Sequence, residues 1–251
     1  MLKRRIIPIE LLNRGRLVKT RAFDNPRDVG DPVQSSKVYS DQDADELMLL
    51  QIDRDGRHMD PLVASVASIA AHCFVPLIAG GGVICLDDAI RLFAAGADKV
   101  MVNSIAYLEP FVITKIAERY GCQAVVVGID VRAEGDDFIL YSNCGRNIEY
   151  VSLEKHISAV VAAGAGELMI QVINRDGVME GYDIKLLQRV IAISPIPIIA
   201  ASGAGHFIHL KEAFDAGADA VACGSLFNFG DNNPLRAKAF LKNYGIPLKK
   251  I

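Results

Sequence analysis

Asp130 closes the apolar run VVVGID (125–130), and a carboxyl at the end of so apolar a segment is suited to general acid/base work, or to capping the turn that follows. Asp176, in NRDG (174–177), is either a second polar contact beside Gly177 or an Asp-Gly turn former. Lys19 and Arg16 lie in a long polar segment from Asn13 to Gly30. Its length suggests a mobile lid from which one of them reaches a phosphate, the alternative being a solvated basic loop. Two glycine-rich runs, Ala79-Gly80-Gly81-Gly82 and Ala201-Ser202-Gly203-Ala204-Gly205, follow short apolar segments. Without side chains, such runs let backbone N–H groups approach an anion, and a following helix N-terminus adds its dipole. Asn103-Ser104 and Gly224-Ser225 end two further apolar segments with groups able to donate to phosphate oxygens.

These groups need a scaffold, and an internal repeat supplies one. ELMLLQIDRDG (46–56) recurs as ELMIQVINRDG (167–177), PLIAGGG (76–82) as PIIAASG (197–203), and AAGADKVMVNS (94–104) as DAGADAVACGS (215–225). All three pairs share an offset of 121 residues, so the chain reads as a duplicated half of about 120 residues. Within each half, short β-branched runs alternate with helical patterns such as LDDAIRLFAAG (86–96) and HFIHLKEAFDAG (206–217), each stopped by glycine. Four strand–helix units per half predict a single α/β unit over 1–251, a (β/α)8 TIM barrel made of two homologous half-barrels (about 1–120 and 121–251). The alternative is an open doubly wound sheet. In such a barrel the site lies at the C-terminal strand ends, where two symmetric anion loops suit a bisphosphorylated substrate.

The opposite end is charged. Arg5, Glu46, Lys99 and Glu167 open the first, second, fourth and sixth strands, and the two glutamates are repeat mates. Their charges sum to zero, as a closed salt-bridge ring requires; the ring is either a stabilising plug or a gate for something small moving along the axis.

Composition narrows the class. The chain is 51% hydrophobic with 21 glycines and 10 prolines scattered rather than pooled, which suits one large core without a linker. No apolar run nears the roughly 18 residues of a membrane span, and the N-terminal MLKRRIIPIE is too charged for a signal peptide. Five cysteines without a CxxC pair suggest a reduced, cytoplasmic setting. A net charge of −3 argues against a nucleic-acid surface. The five histidines show no ligand spacing beyond His206 and His209, read as surface residues. No metal site, nucleotide fingerprint or flavin fingerprint is present, so no cofactor is expected.

Over essentially its whole length the chain resembles the cyclase subunit of imidazole glycerol phosphate synthase, which works with a glutaminase in histidine biosynthesis. The resemblance is carried by KRRIIP (3–8), GRLVK (15–19), RDVGDPV (27–33), ADELMLLQI (44–52), AGGGV (79–83), AGADKVMVNS (95–104), VVVGID (125–130), GAGELMIQVINRDGVMEGYD (164–183), IAASGAG (199–205) and FNFG (227–230). It implies a heterodimer in which the glutaminase docks at the barrel bottom beside Asp98. Ammonia would then pass a gate of Arg5, Glu46, Lys99 and Glu167. It further implies Lys19 as a contact from the first loop, Asp130 as catalytic acid/base, and phosphate sites around Gly82, Asn103, Gly203 and Ser225.

One departure bears on the chemistry. The family uses two aspartates, after the first and fifth strands, and the first position here is Leu11, which cannot transfer a proton. Glu10 is adjacent, but neighbouring strand side chains face opposite ways; only an alignment of IPIE with VGID would let it serve. Gln51 and Gln171 stand where the family has Asp and Thr. The sequence therefore points to a relative that keeps the glutaminase and the ammonia path but serves another acceptor. Relatives encoded with surface-polysaccharide genes suggest amidination of a sugar, with a third, ATP-using partner. The alternatives are a cyclase–lyase making imidazole glycerol phosphate and AICAR, and a non-catalytic conduit subunit.

Overall fold

The computed structural model describes residues 3–135 and 137–249, so the outermost residues of the expected 1–251 unit lie outside it. Eight short apolar segments pair edge to edge: β1 (Arg5–Asn13), β2 (Leu47–Gln51), β3 (Leu77–Gly80), β4 (Lys99–Val102), β5 (Val125–Glu134), β6 (Glu167–Val172), β7 (Ile198–Ala201) and β8 (Ala220–Cys223). Each pairs in parallel with the next, and β8 returns to β1, with Arg5 opposite Ala220, so the sheet closes on itself. Helices follow the strands in alternation. This is a (β/α)8 barrel, not an open sheet.

Strand periodicity sorts the core into two layers. Ile7, Met48, Ile78, Val126, Met169 and Ile199 fill the barrel interior. Their neighbours, such as Ile6, Leu49, Ala79, Val127, Leu168 and Ala200, face the helices. Both faces of each strand are therefore buried, which is why the strands read as unbroken apolar runs. No described helix is long and apolar enough to cross a membrane.

The duplication survives in single hydrogen bonds. Leu77 N donates to Asp98 Oδ2 at 2.8 Å, and its repeat mate Ile198 N donates to Asp219 Oδ2 at 3.0 Å. The aspartate N–H groups return to Leu77 O (2.8 Å) and Ile198 O (2.9 Å). Each half thus secures the entry to its third strand in the same way. Asp98 remains exposed on the N-terminal face while doing so.

Two insertions depart from the simple alternation. The polar segment after β1, expected as a loop, is an antiparallel ribbon of Arg16–Arg21 and Asp24–Gly30, with left-handed residues at Ala22, Phe23 and Asn25. The second is a hairpin: β5 runs on past the barrel to pair with Asp137–Ser142, which pairs in turn with Asn147–Glu149.

Candidate active site

A pocket of about 380 Å3 opens at the C-terminal strand ends. Asp130 lies at its wall, buried to 4% exposure. Burial pushes its carboxyl up to about 7; a hydrogen bond from the Asn103 side chain opposes this and Asp176 adds to it. Its Oδ1 has no hydrogen-bond partner among the described residues. A carboxyl held near neutrality in the wall of a cleft, with one oxygen buried and unpartnered, is suited to exchange a proton with a molecule bound there.

The register shows what stands opposite. Asp130 pairs with Gln171 on β6, and Leu11 pairs with Leu50 on β2. Leu50 and Gln171 are repeat mates, so Leu11 is the geometric counterpart of Asp130, and it too lines the pocket. Glu10 does not take its place. It points outward to the helix Pro32–Asp41, where Oε2 accepts from Ser36 Oγ at 2.6 Å, and it is 2% exposed. Pleating of β1 places the two neighbours on opposite faces; the rescue by Glu10 that the sequence left open has no geometric basis.

Lys19 enters the pocket from the ribbon. Its ammonium donates to Ile9 O at 2.7 Å, and a β-carbon at Gly224 would lie 3.0 Å from its Nζ. Burial lowers Lys19 to about 8 against the pull of Glu10 and Asp176. Arg16, the other sequence candidate, pairs with Asp28 outside the mouth. Asp176 anchors the ribbon: its Oδ2 accepts from Thr20 Oγ1 (2.6 Å) and Phe23 N (3.2 Å), while its carbonyl accepts from Ala22 N. Its repeat mate Asp55 has no ribbon to hold and pairs with Arg14 at the surface. The same Arg-Asp-Gly tripeptide therefore does different work in the two halves.

The glycine loops lie where the sequence places them. Gly81 has φ +98°, and a β-carbon there would sit 2.1 Å from Gln51 O; at Gly203, φ +111°, it would sit 2.2 Å from Gly181 O. Only glycine permits these approaches. Gly82, Asn103, Ser104, Gly177, Gly224 and Ser225 also line the pocket. Ser104 Oγ accepts from Asn143 N at 3.0 Å, which leaves its own hydrogen to donate. Gln51, read as a site position, spends its amide on His58 O at 2.7 Å. His206 and His209 lie toward the surface and cap the helix Phe207–Asp215, His206 accepting from Ile208 N and His209 from His206 N.

Sequence reasoning missed the roof of the pocket. Three arms meet over one side of it: the ribbon turn with Phe23, the segment after β2 with Arg54 and Arg57, and the hairpin tip with Cys144 and Arg146. Arg54 pairs with Asp24 at 3.2 Å, and Arg146 Nη1 donates to Arg54 O at 3.4 Å, tying the arms together. The arginines were visible in the sequence, but nothing local shows that arms from β1, β2 and β5 converge.

At the opposite end the four charges close a ring. Arg5 reaches Glu46 at 2.9 Å and Glu167 at 2.7 Å, and Lys99 reaches the same two at 3.0 and 3.1 Å. The four side chains are 9–20% exposed. Replacing Glu46 by glutamine leaves two cations on one carboxylate, at a cost of about 2 kcal/mol, below the value for a fully buried pair because water still reaches the ring. Thermal unfolding should show this as a drop of roughly 4–8 °C.

A closed parallel barrel, with titratable side chains and glycine loops at the C-terminal mouth and a charge ring at the base, defines a (β/α)8 barrel of the two-half type. Residues 5–233 match the family described as histidine biosynthesis protein. The chain is 39% identical over 249 residues to imidazole glycerol phosphate synthase subunit HisF of Exiguobacterium sibiricum and 37% identical over 250 residues to that of Pelodictyon phaeoclathratiforme, covering 99% of this chain and all of each relative. The chain belongs to this HisF family of imidazole glycerol phosphate synthase subunits.

Proposed function

We propose that this chain receives ammonia from a glutaminase docked on the N-terminal face and delivers it to a phosphorylated acceptor other than the ribonucleotide of histidine biosynthesis. Amidination of a sugar for surface polysaccharide, with an ATP-using third partner to activate it, fits best. The observation that carries this reading is Leu11: the counterpart of Asp130 is an aliphatic side chain, and Glu10 is turned away. The ring of Arg5, Glu46, Lys99 and Glu167 beside an otherwise apolar axis supports passage of a small neutral molecule.

At the mouth, the Gly81–Gly82 and Asn103–Ser104 side holds one phosphate, and the Gly203 and Gly224–Ser225 side holds the other with Lys19. Asp130 remains as the single acid/base. Its carboxylate takes a proton from attacking ammonia as the new C–N bond forms, and its carboxyl returns that proton to the departing oxygen. An acceptor already activated by another protein needs no second carboxyl, whereas ring closure by the histidine-pathway route loses a group of the kind worth about 10²–10⁴-fold.

The test is ammonia-dependent cyclisation of the bisphosphorylated ribonucleotide by purified wild-type protein. No turnover is expected; turnover at a rate useful to a cell would establish the second reading, a histidine-pathway cyclase–lyase, which the 37–39% identity favours. Docking has its own check. Phe74, in the connection that enters β3 at the N-terminal face, is 92% exposed. Phe74→Asp should weaken titrated glutaminase binding by roughly tenfold or more, the effect of placing a charge in an apolar contact. Unaltered affinity would place the docking surface elsewhere.

A further inference from the structure

Arg54 and Arg146 belong to the roof and have no part in the reading above. Arg146 is fixed by three bonds: Nε to Asn143 O (3.1 Å), Nη2 to Asn143 Oδ1 (2.9 Å) and Nη1 to Arg54 O (3.4 Å). All three acceptors are neutral, and among the described residues no carboxylate lies within ion-pair distance of this guanidinium. Arg54 does have one, Asp24 on the ribbon turn, but that side chain is 64% exposed. An ion pair so open to water is worth under about 1 kcal/mol and exchanges readily for a better anion.

Neutral acceptors fix the direction of a guanidinium without cancelling its charge, and the second hydrogens of Nη1 and Nη2 remain to donate to a carboxylate or phosphoryl oxygen. Both arginines line the same pocket as Asp130, and so does Cys144, two residues before Arg146. Burial pushes the Cys144 thiol up, Asp130 adds to that, and Arg54 and Arg146 draw it down. One thiol thus feels the two arginines and the acid/base group together.

We infer that Arg54 and Arg146 form a third anion site, in addition to the two glycine loops, and that the acceptor carries a phosphoryl or carboxylate group near its reacting centre. This rests on the reading that the mouth takes a phosphorylated acceptor. It narrows the class: a compound with only two terminal phosphates leaves the cation pair uncompensated, whereas one with an additional internal anion satisfies it.

Cys144 provides the local readout, with the exposed Cys85 and Cys122 as references in the same chain. The full-length protein is alkylated with iodoacetate, an anion, and in parallel with iodoacetamide, which is neutral. Labelling at each cysteine is quantified by peptide mass spectrometry. The ratio of the two rates at Cys144 cancels its thiolate fraction and reports the local attraction for an anion. In the wild type this ratio should exceed that at Cys122. In R54Q/R146Q it should fall roughly tenfold, the scale of one charge-assisted contact. Inorganic phosphate and succinate are then added separately as protectants, and the one that shields Cys144 at lower concentration identifies the group.

Equal ratios at Cys144 and Cys122 in the wild type, or protection that persists undiminished in R54Q/R146Q, overturn the proposal. The assay uses no glutaminase, ammonia or acceptor. Its failure therefore leaves the ammonia-transfer reading standing, whereas wild-type cyclisation would overturn that reading together with the additional anion inferred on the acceptor, and the anion site itself is judged by the labelling alone.

Discussion

Leu11→Asp should turn a protein silent in ammonia-dependent cyclisation into one with measurable turnover, at least about 10²-fold above the wild-type background. The register makes this the informative substitution. Leu11 and Asp130 pair with repeat mates on adjacent strands, so an aspartate at 11 projects into the mouth across from Asp130. The side chain it replaces is only partly buried and borders the pocket that Lys19 also lines, so the new carboxylate meets the open mouth instead of a closed core. The change costs some apolar contact with the inner core around Ile9 and Leu50, which a modest drop in melting temperature would report. A folded Leu11→Asp protein that stays silent would show that the departures at Gln51 and Gln171 matter as much as Leu11.

Asp130→Asn should stabilise the protein at neutral and alkaline pH while abolishing its chemistry. The folded state holds the Asp130 carboxyl at about 7, against an ordinary value of 3.8, chiefly because burial disfavours the charge. Between these values the folded protein binds a proton that the unfolded chain has released. Stability linked to Asp130 is therefore complete below about pH 4, declines as pH rises through the window, and is lost above about pH 7. The full span is roughly 4 kcal/mol at most. Asparagine keeps the shape and the contact with Asn103 without ever ionising. Urea denaturation should give a variant more stable by no more than about 1 kcal/mol at pH 4.5 and by about 2–4 kcal/mol at pH 8. Parallel stabilities at both pH values would mean that the carboxyl ionises freely in the fold and is not poised as an acid.

The barrel was legible because its signals are local and repeated. Strands buried on both faces read as continuous apolar runs, glycines stop the helices, and three motifs at one offset count the units. The residues at strand ends followed from the fold alone, which is why Asp130, Leu11 and the glycine loops were found. The ribbon was not legible: Asp24-Asn25-Pro26-Arg27-Asp28 carries no alternating apolar pattern, and its turn relies on left-handed Ala22 and Phe23 where glycine would have announced it. The buried role of Asp176 was hidden for the same reason, since its partners Thr20, Ala22 and Phe23 lie about 150 residues away in the chain. Arg54 and Arg146 look like solvated loop charges until the arms are seen to meet.

The arms grow out of the barrel ladder, the ribbon pairing with β1 (Leu11 opposite Val18) and the hairpin with β5 (Asp130 opposite Tyr141), but their tips lie beyond it. Strand pairing closes the barrel below, and the tips touch one another through side chains and turn carbonyls, with further ties at Asp176 and Ser104. Substitutions at the tips therefore draw little on the stability of the barrel, while every one of them reshapes the entrance that an incoming molecule must pass. Such a division lets a lineage exchange one acceptor for another by drift in three short surface segments, with the strands and the basal ring left as they were.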